Sequence, residues 1–137
     1  MELINTVTTY ALCGVIWVVH AVHYPTFYDV APDRWRAFHA RHTAAISRVV
    51  VPLMLGELIA CLVLAVSGET AGLFYGLQLA LVGVAWVSTF AWQVPCHRRL
   101  AEVQDPHVIR RLIVGNRLRT AAWSLKGLLL ALGPSLF

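Results

Sequence analysis

Four apolar runs limit what this chain can fold into. Each approaches the ~20 residues that a helix needs to cross a bilayer. They cover about Leu3–His23, Val49–Val66, Ala71–Pro95 and Val114–Leu132. In lipid an isolated span has to satisfy its own backbone hydrogen bonds, so helix is expected even where β-branched and aromatic residues would favour a strand in water. The 137 residues leave room for these spans and short connections, and for no soluble domain. A hydrophobic fraction of 58% and a mean hydropathy of +0.67 lie well outside the range of a soluble chain. The expectation is one all-α domain over residues 1–137, an integral-membrane four-helix up-down bundle.

Local signals punctuate the spans. Pro25 is expected to end the first by biasing Tyr24 away from the helical region. Pro32 suits the first turn of a new helix, where its missing N–H costs nothing. From Asp33 to Arg48, Trp35, Phe38 and Ile46 alternate with arginines, as in an amphipathic interfacial helix. This segment leads into the second span, which Pro52 is expected to kink. Gly68 is a natural stop, and the turn that follows carries Glu69. Pro95 is expected to distort the last turn of the third span. Asp105-Pro106 forms a cap and first turn for the fourth helix, and Gly133-Pro134 ends it.

Charge sets the topology. Arg34, Arg36, Arg41 and Arg48 lie between spans one and two, and six more arginines lie between or near spans three and four. The N-terminus and the Glu69 turn have neither Lys nor Arg. The positive-inside rule then places both long connections in the cytoplasm and both termini outside it, in a multi-pass protein of the cell inner membrane. The net charge of +4 reads as this topogenic signal and gives no nucleic-acid surface. The first span has neither the basic leader nor the small-residue cleavage site of a signal peptide and is expected to be retained. Cys13, Cys61 and Cys96, odd in number and within spans, argue against a disulfide framework. Cys96, next to His97, is a weak ligand candidate.

An up-down bundle brings the polar groups to one end. Trp17-Val-Val-His20-Ala-Val-His23-Tyr-Pro25 closes the first span, His39-Ala-Arg-His42 precedes the second, and Gln93-Val-Pro-Cys-His97 closes the third. His20 and His23, His39 and His42, and Gln93 and His97 stand three or four apart and share helix faces. Asn116, Arg119, Thr120, Trp123 and Lys126 form one stripe, which should point inward because lipid cannot hydrogen-bond it. Glu57 and Lys126 lie deeper, where a bare charge costs ~2.5–3.5 kcal/mol on insertion scales. Mutual pairing is the expected remedy. At ~1.5 Å per residue, Glu57 stands roughly 27 Å along a straight helix from His39, too far for one ion to bind both.

Imidazole is a common ligand for transition metals and haem iron. The metal-ligand candidates are His23, His42 and His97. His20, His39 and Gln93 join them as candidates for cofactor binding. The cofactor is haem b or a transition metal, iron first, then copper or zinc. Arg119 and Asn116 would orient a substrate or hold a carboxylate. Glu57 would be a deeper acid, structural or proton-transferring. The competing reading is that interfacial histidines bind nothing and that Arg119 snorkels to the headgroups.

Five motifs, His23-Tyr-Pro-x-Phe27, His39-x-x-His42, Pro52-Leu-Met-x-x-Glu57, Gln93-x-Pro-Cys-His97 and Asn116-Arg-x-Arg119-Thr-x-x-Trp123, cover nearly the whole chain. The chain resembles a group of small four-span bacterial membrane proteins with those motifs, to which no function is attached. In size, span number and the tyrosine-proline after span one it is also similar to the haem-containing bacterial protoporphyrinogen oxidase family. That likeness is to layout and implies a b-type haem and porphyrinogen oxidation. The two His-x-x-His pairs depart from that family's pattern.

The leading expectation is a metal- or haem-dependent membrane oxidoreductase. Its partners would be the lipid bilayer and a lipophilic substrate such as a quinone, porphyrin or lipid, with homo-oligomerisation left open. The alternatives are a proton- or cation-coupled transporter using Glu57 and a non-catalytic subunit of a larger membrane assembly.

Overall fold

A computed structural model describes residues 1–67 and 72–133, and every regular element among them is helical. Helix α1 covers Glu2–Val18, α2 Trp35–Ser67, α3 Gly72–Ser88, α4 Val94–Glu102 and α5 Pro106–Leu132. A π-helical turn, Val19–His23, extends α1 and hands over to a single 3-10 turn, Pro25–Tyr28. A second π-helical turn, Thr89–Gln93, joins α3 to α4. The five helices therefore form four rods. The first packs between α2 and α5, and α3 packs against the same two. Contacts fix the antiparallel sense. Asn5 meets Gln78 and Lys126 at one end of the bundle, whereas His23 meets His42 and Tyr28 meets Pro106 at the other.

Three rods, Glu2–Tyr28, Trp35–Ser67 and Gly72–Glu102, are long and apolar enough to cross a membrane. Helix α5 is not among them, because Arg117, Arg119 and Lys126 fall within its apolar stretch. The bundle is apolar outside as well as inside. Leu3 and Val7 on α1, Val51, Leu55 and Ile59 on α2, and Leu73 and Val87 on α3 are all exposed. A continuous apolar surface of this kind calls for a nonpolar surrounding.

Several local expectations need correction. Tyr24 keeps helical geometry (φ −62°, ψ −37°) despite the following proline. Its N–H bonds to Val19 O across the π turn, and Pro25 sits at the start of the 3-10 turn, where no N–H is required. Helix α2 runs from the arginine-rich segment through Pro52 to Ser67 as one element, as expected of a segment that leads straight into the second span. Pro32 lies in the turn before α2 rather than inside it. Helix α5 begins at Pro106, capped as expected by Asp105, whose carboxylate accepts from the N–H groups of His107 and Val108. Gly133 ends it with a φ of 75°. Gly68, Glu69 and Pro134 lie outside the described residues.

Candidate functional site

Two buried polar centres divide the interior. The first lies toward the end that holds the start of α1 and the end of α5. Glu57 and Lys126 form an ion pair of 2.9 Å, with both side chains fully buried. Both charges in this centre are matched, while Gln78 Nε2 at its edge is buried without a partner. Lys126 Nζ also donates to Asn5 Oδ1 and to Thr9 Oγ1, at 2.7 and 2.5 Å. Glu57 Oε1 accepts from Thr9, and its Oε2 accepts from the Trp123 indole at 2.9 Å. Asn5 donates to Gln78 Oε1 at 2.7 Å and accepts from the Cys61 thiol. The expected Glu57–Lys126 contact is present. Asn5, Thr9, Gln78 and Cys61 complete it, and sequence reasoning missed their part. Their signal was an amide or hydroxyl inside an apolar span, which lipid would leave unsatisfied.

The second centre is at the opposite end, where both π turns deliver their last residues. The rings of His23, His39, His42 and His97 come together from three rods. His23 Nε2 lies 2.7 Å from His42 Nδ1, with ring centroids 4.5 Å apart. His39 Nε2 lies 3.1 Å from His97 Nδ1. The His42 and His97 rings, 5.6 Å apart, connect the two pairs. The Tyr24 hydroxyl is 3.2 Å from His97 Nε2, so both nitrogens of His97 are engaged. In the sequence Tyr24 marks only the end of the first span, and sequence reasoning missed its place in the cluster. It is fully buried among these rings.

Aromatic side chains house the imidazoles. Trp35 stacks on His39 at 5.4 Å, and Phe27 sets its edge or face against His23, His39 and His42. The Trp35 indole N–H is held by Leu100 O at 2.7 Å, which fixes α2 against α4. Gln104 ties the Pro25–Tyr28 turn down through bonds to Phe27 O and Val30 O.

His20 stands apart from the cluster. The π turn adds a residue to the helical repeat, so the i, i+3 pair no longer shares one face. His20 packs edge-on to Trp17, and its Nδ1 is buried without a partner. Cys96 packs in the apolar cluster around Phe27, Leu100 and Ile109. Glu57 belongs to the other centre, as its depth predicts. Among the described residues, no three His, Cys, Asp or Glu side chains stand in a metal-holding arrangement. The nitrogens that would face an ion instead face one another in pairs.

Beside the imidazoles lies a cavity of about 450 Å³. Val15, Ile16 and Val19 of the first rod form its floor, α2 and the α3–α4 rod form its sides, and its rim includes the exposed Val51 and Phe90. His39, His97, Tyr24, Gln93 and Arg119 make its polar end. Several polar atoms here have no partner. Both amide atoms of Gln93 and of Asn116, Arg119 Nε and Trp86 Nε1 are buried and unbonded. Arg119 is the one buried arginine, 6% exposed, with its guanidinium 5.2 Å from the Trp123 ring. The Asn116–Lys126 stripe thus faces inward as expected, and it serves both centres.

Comparison with protein-family models, curated proteins and solved structures finds no match for this chain. The resemblances noted above rest on their motifs and layout alone.

Proposed function

We propose that the chain is a four-span inner-membrane protein of oxidoreductase type. In this reading its four-histidine cluster holds a transition-metal ion beside a chamber for a lipophilic substrate. The observation that carries this is the meeting of His23, His39, His42 and His97 from three rods, walled by aromatic rings and opening onto the cavity. Imidazoles are common ligands of iron, copper and zinc, and His42 Nε2 is buried in the cluster without a partner. Iron or copper would supply one-electron chemistry, and zinc would polarise a bound group. A bare ion suits the centre better than haem. The imidazole rings lie against one another and leave no slot for a porphyrin between them.

In this reading α5 is the fourth span. Its charged and polar groups face the bundle, while Leu118, Leu125, Leu128 and Leu132 face outward. The exposed arginines Arg34, Arg36, Arg41, Arg98 and Arg99 cluster at the histidine end, which therefore lies at the cytoplasmic side with both termini outside. Glu57 is structural, because both of its oxygens are occupied by Lys126, Thr9 and Trp123. This weakens the transport reading, which needs that carboxylate free to bind a proton or cation.

One observation favours a second, metal-free reading. Tyr24, His97 and His39 form a continuous hydrogen-bonded chain along the cavity wall. Such a chain can pass a proton to or from a bound ligand without a metal.

Metal analysis and the absorption spectrum of the detergent-purified protein distinguish these readings. The expected result is about one transition-metal ion per chain and no Soret band, with the ion lost from His42→Ala/His97→Ala protein of unchanged helicity. Metal-free protein overturns the first reading and leaves the proton chain. A Soret band would restore the haem expectation.

A further inference from the structure

We propose that the cavity beside the histidine cluster binds a lipophilic anion, an apolar body ending in an oxyanion head that docks on Arg119. This deepens the function proposed above by naming the ligand class. It rests on the cavity being the substrate chamber and does not require the metal.

Arg119 is nine-tenths buried, and no carboxylate accompanies it. The cavity wall contains two arginines, Arg119 within and Arg98 at the exposed rim, and neither Asp nor Glu. Glu57 is committed to Lys126, the only ion pair among the described residues. A buried guanidinium without an anion is costly, and contacts with the Trp123 face and the Tyr24 hydroxyl offset only part of that. Free donors line the same cavity. Arg119 Nε, Trp86 Nε1 and Gln93 Nε2 are all buried and unbonded, and all three residues line the cavity. Asn116, one turn before Arg119, adds an unbonded amide behind it.

The rest of the cavity is apolar, with Val15, Ile16, Val50, Val51, Met54 and Phe90 on its walls. Its volume of about 450 Å³ is within the usual range for small-molecule sites. Water or a small inorganic anion would leave that apolar volume unfilled. A neutral lipophile would leave Arg119 uncompensated. An anionic head on an apolar body meets both requirements. Both a free carboxylate and a lipid phosphate have this chemistry.

The test uses the full chain in a non-ionic detergent and three probes with the same alkyl tail, ending in a carboxylate, a phosphate monoester or an alcohol. A charge-assisted hydrogen bond in a buried site predicts that an anionic probe binds about 10–100-fold tighter than the alcohol. Arg119→Gln should abolish that preference while leaving the alcohol's affinity unchanged. The tighter of the two anions identifies the source, free acid or lipid headgroup. Equal binding of all three probes to the unaltered protein overturns the inference, as does a preference that survives Arg119→Gln. If Arg119→Gln protein does not fold, Gln93→Leu replaces it and should reduce the preference several-fold. An undiminished preference in that variant counts against the site. Metal content measured on the same samples keeps the two proposals separate. Anion preference in metal-free protein sinks only the metal, and metal without anion preference sinks only this inference.

Discussion

Arg119 and Lys126 lie two turns apart on one face of α5, both buried and both cationic, yet their surroundings differ in kind. Lys126 is closed. Its ammonium meets Glu57, Asn5 and Thr9, and Glu57 is capped in turn by Trp123. Arg119 is open. It faces a cavity, has no carboxylate, and lies among amides and an indole that have no partners. A fully satisfied polar network rigidifies and specifies packing, whereas a half-satisfied one is a standing cost unless something fills it. Two cations on one helix therefore differ in role: one locks the bundle, and the other borders a cavity with no carboxylate beside it.

The largest effect should come from opening the closed centre. Glu57→Gln leaves Lys126 as an uncompensated buried charge, and the expected loss is about 3–5 kcal/mol. Thermal unfolding in detergent, followed by helical circular dichroism, would show it. A Glu57→Leu/Lys126→Met double variant should recover a large part, because removing both charges of a buried pair is far cheaper than removing one. A Glu57→Gln protein as stable as the parent would show that Lys126 has another counter-charge.

A smaller effect should follow from disturbing the frame of the open centre. Trp92 lies directly against Gly115, and its indole N–H bonds to Arg111 O at 2.9 Å. A Cβ at Gly115 would overlap the indole ring itself, so Gly115→Ala has to push α5 away from the Thr89–Gln93 turn. Overpacking of this kind costs about 1–3 kcal/mol. Gly76→Ala, where a Cβ meets nothing, is the matched control and should be neutral or slightly stabilising. Equal melting temperatures for the two variants would mean that the indole swings clear.

The open cation should respond with the opposite sign to the closed one. In ligand-free protein, Arg119→Leu removes a buried charge that no carboxylate balances and loses the contacts with Trp123 and the Tyr24 hydroxyl. Its stability should stay within about 1 kcal/mol of the parent or exceed it. A loss comparable to that of Glu57→Gln would show that Arg119 is structurally locked after all, and the contrast between the centres would collapse.

The closed centre was the more legible of the two in the sequence. Glu57 and Lys126 are isolated charges in apolar runs, and the cost of leaving them bare points directly to their pairing. The amides and hydroxyls that finish the network were harder to see, since Asn5 and Gln78 carry no charge to draw attention. The gathering of polar helix ends was also legible, because antiparallel spans have to return to the same depth. The rotation of each histidine about its helix was not. The π turns at Val19–His23 and Thr89–Gln93 shift the face on which His23, Tyr24 and His97 emerge, and no residue type marks a π turn in sequence. His20 is outside the cluster and Tyr24 inside it for that one reason. Helix α2 continues through Pro52 as one element, because an apolar surrounding penalises a broken span more than a proline in an intact one.

The finest probe of the open centre removes a single oxygen. Tyr24 is buried, so Tyr24→Phe keeps the ring against Phe27 and deletes only the hydroxyl 3.2 Å from His97 Nε2. Loss of one such hydrogen bond is expected to cost about 0.5–1 kcal/mol. Its more telling consequence is the tautomer of His97. If the hydroxyl donates to Nε2, the proton of neutral His97 resides on Nδ1 and points at His39 Nε2, which places the His39 proton on Nδ1. Nitrogen-15 NMR of the histidines should then show His97 as the Nδ1–H form in the parent and a mixture of forms in Tyr24→Phe. A bound metal would instead fix the tautomers of all four imidazoles, and the Tyr24→Phe spectrum would match that of the parent. The tautomer of one ring thus decides whether the open centre moves a proton along a hydrogen-bonded chain or gathers its histidines around an ion.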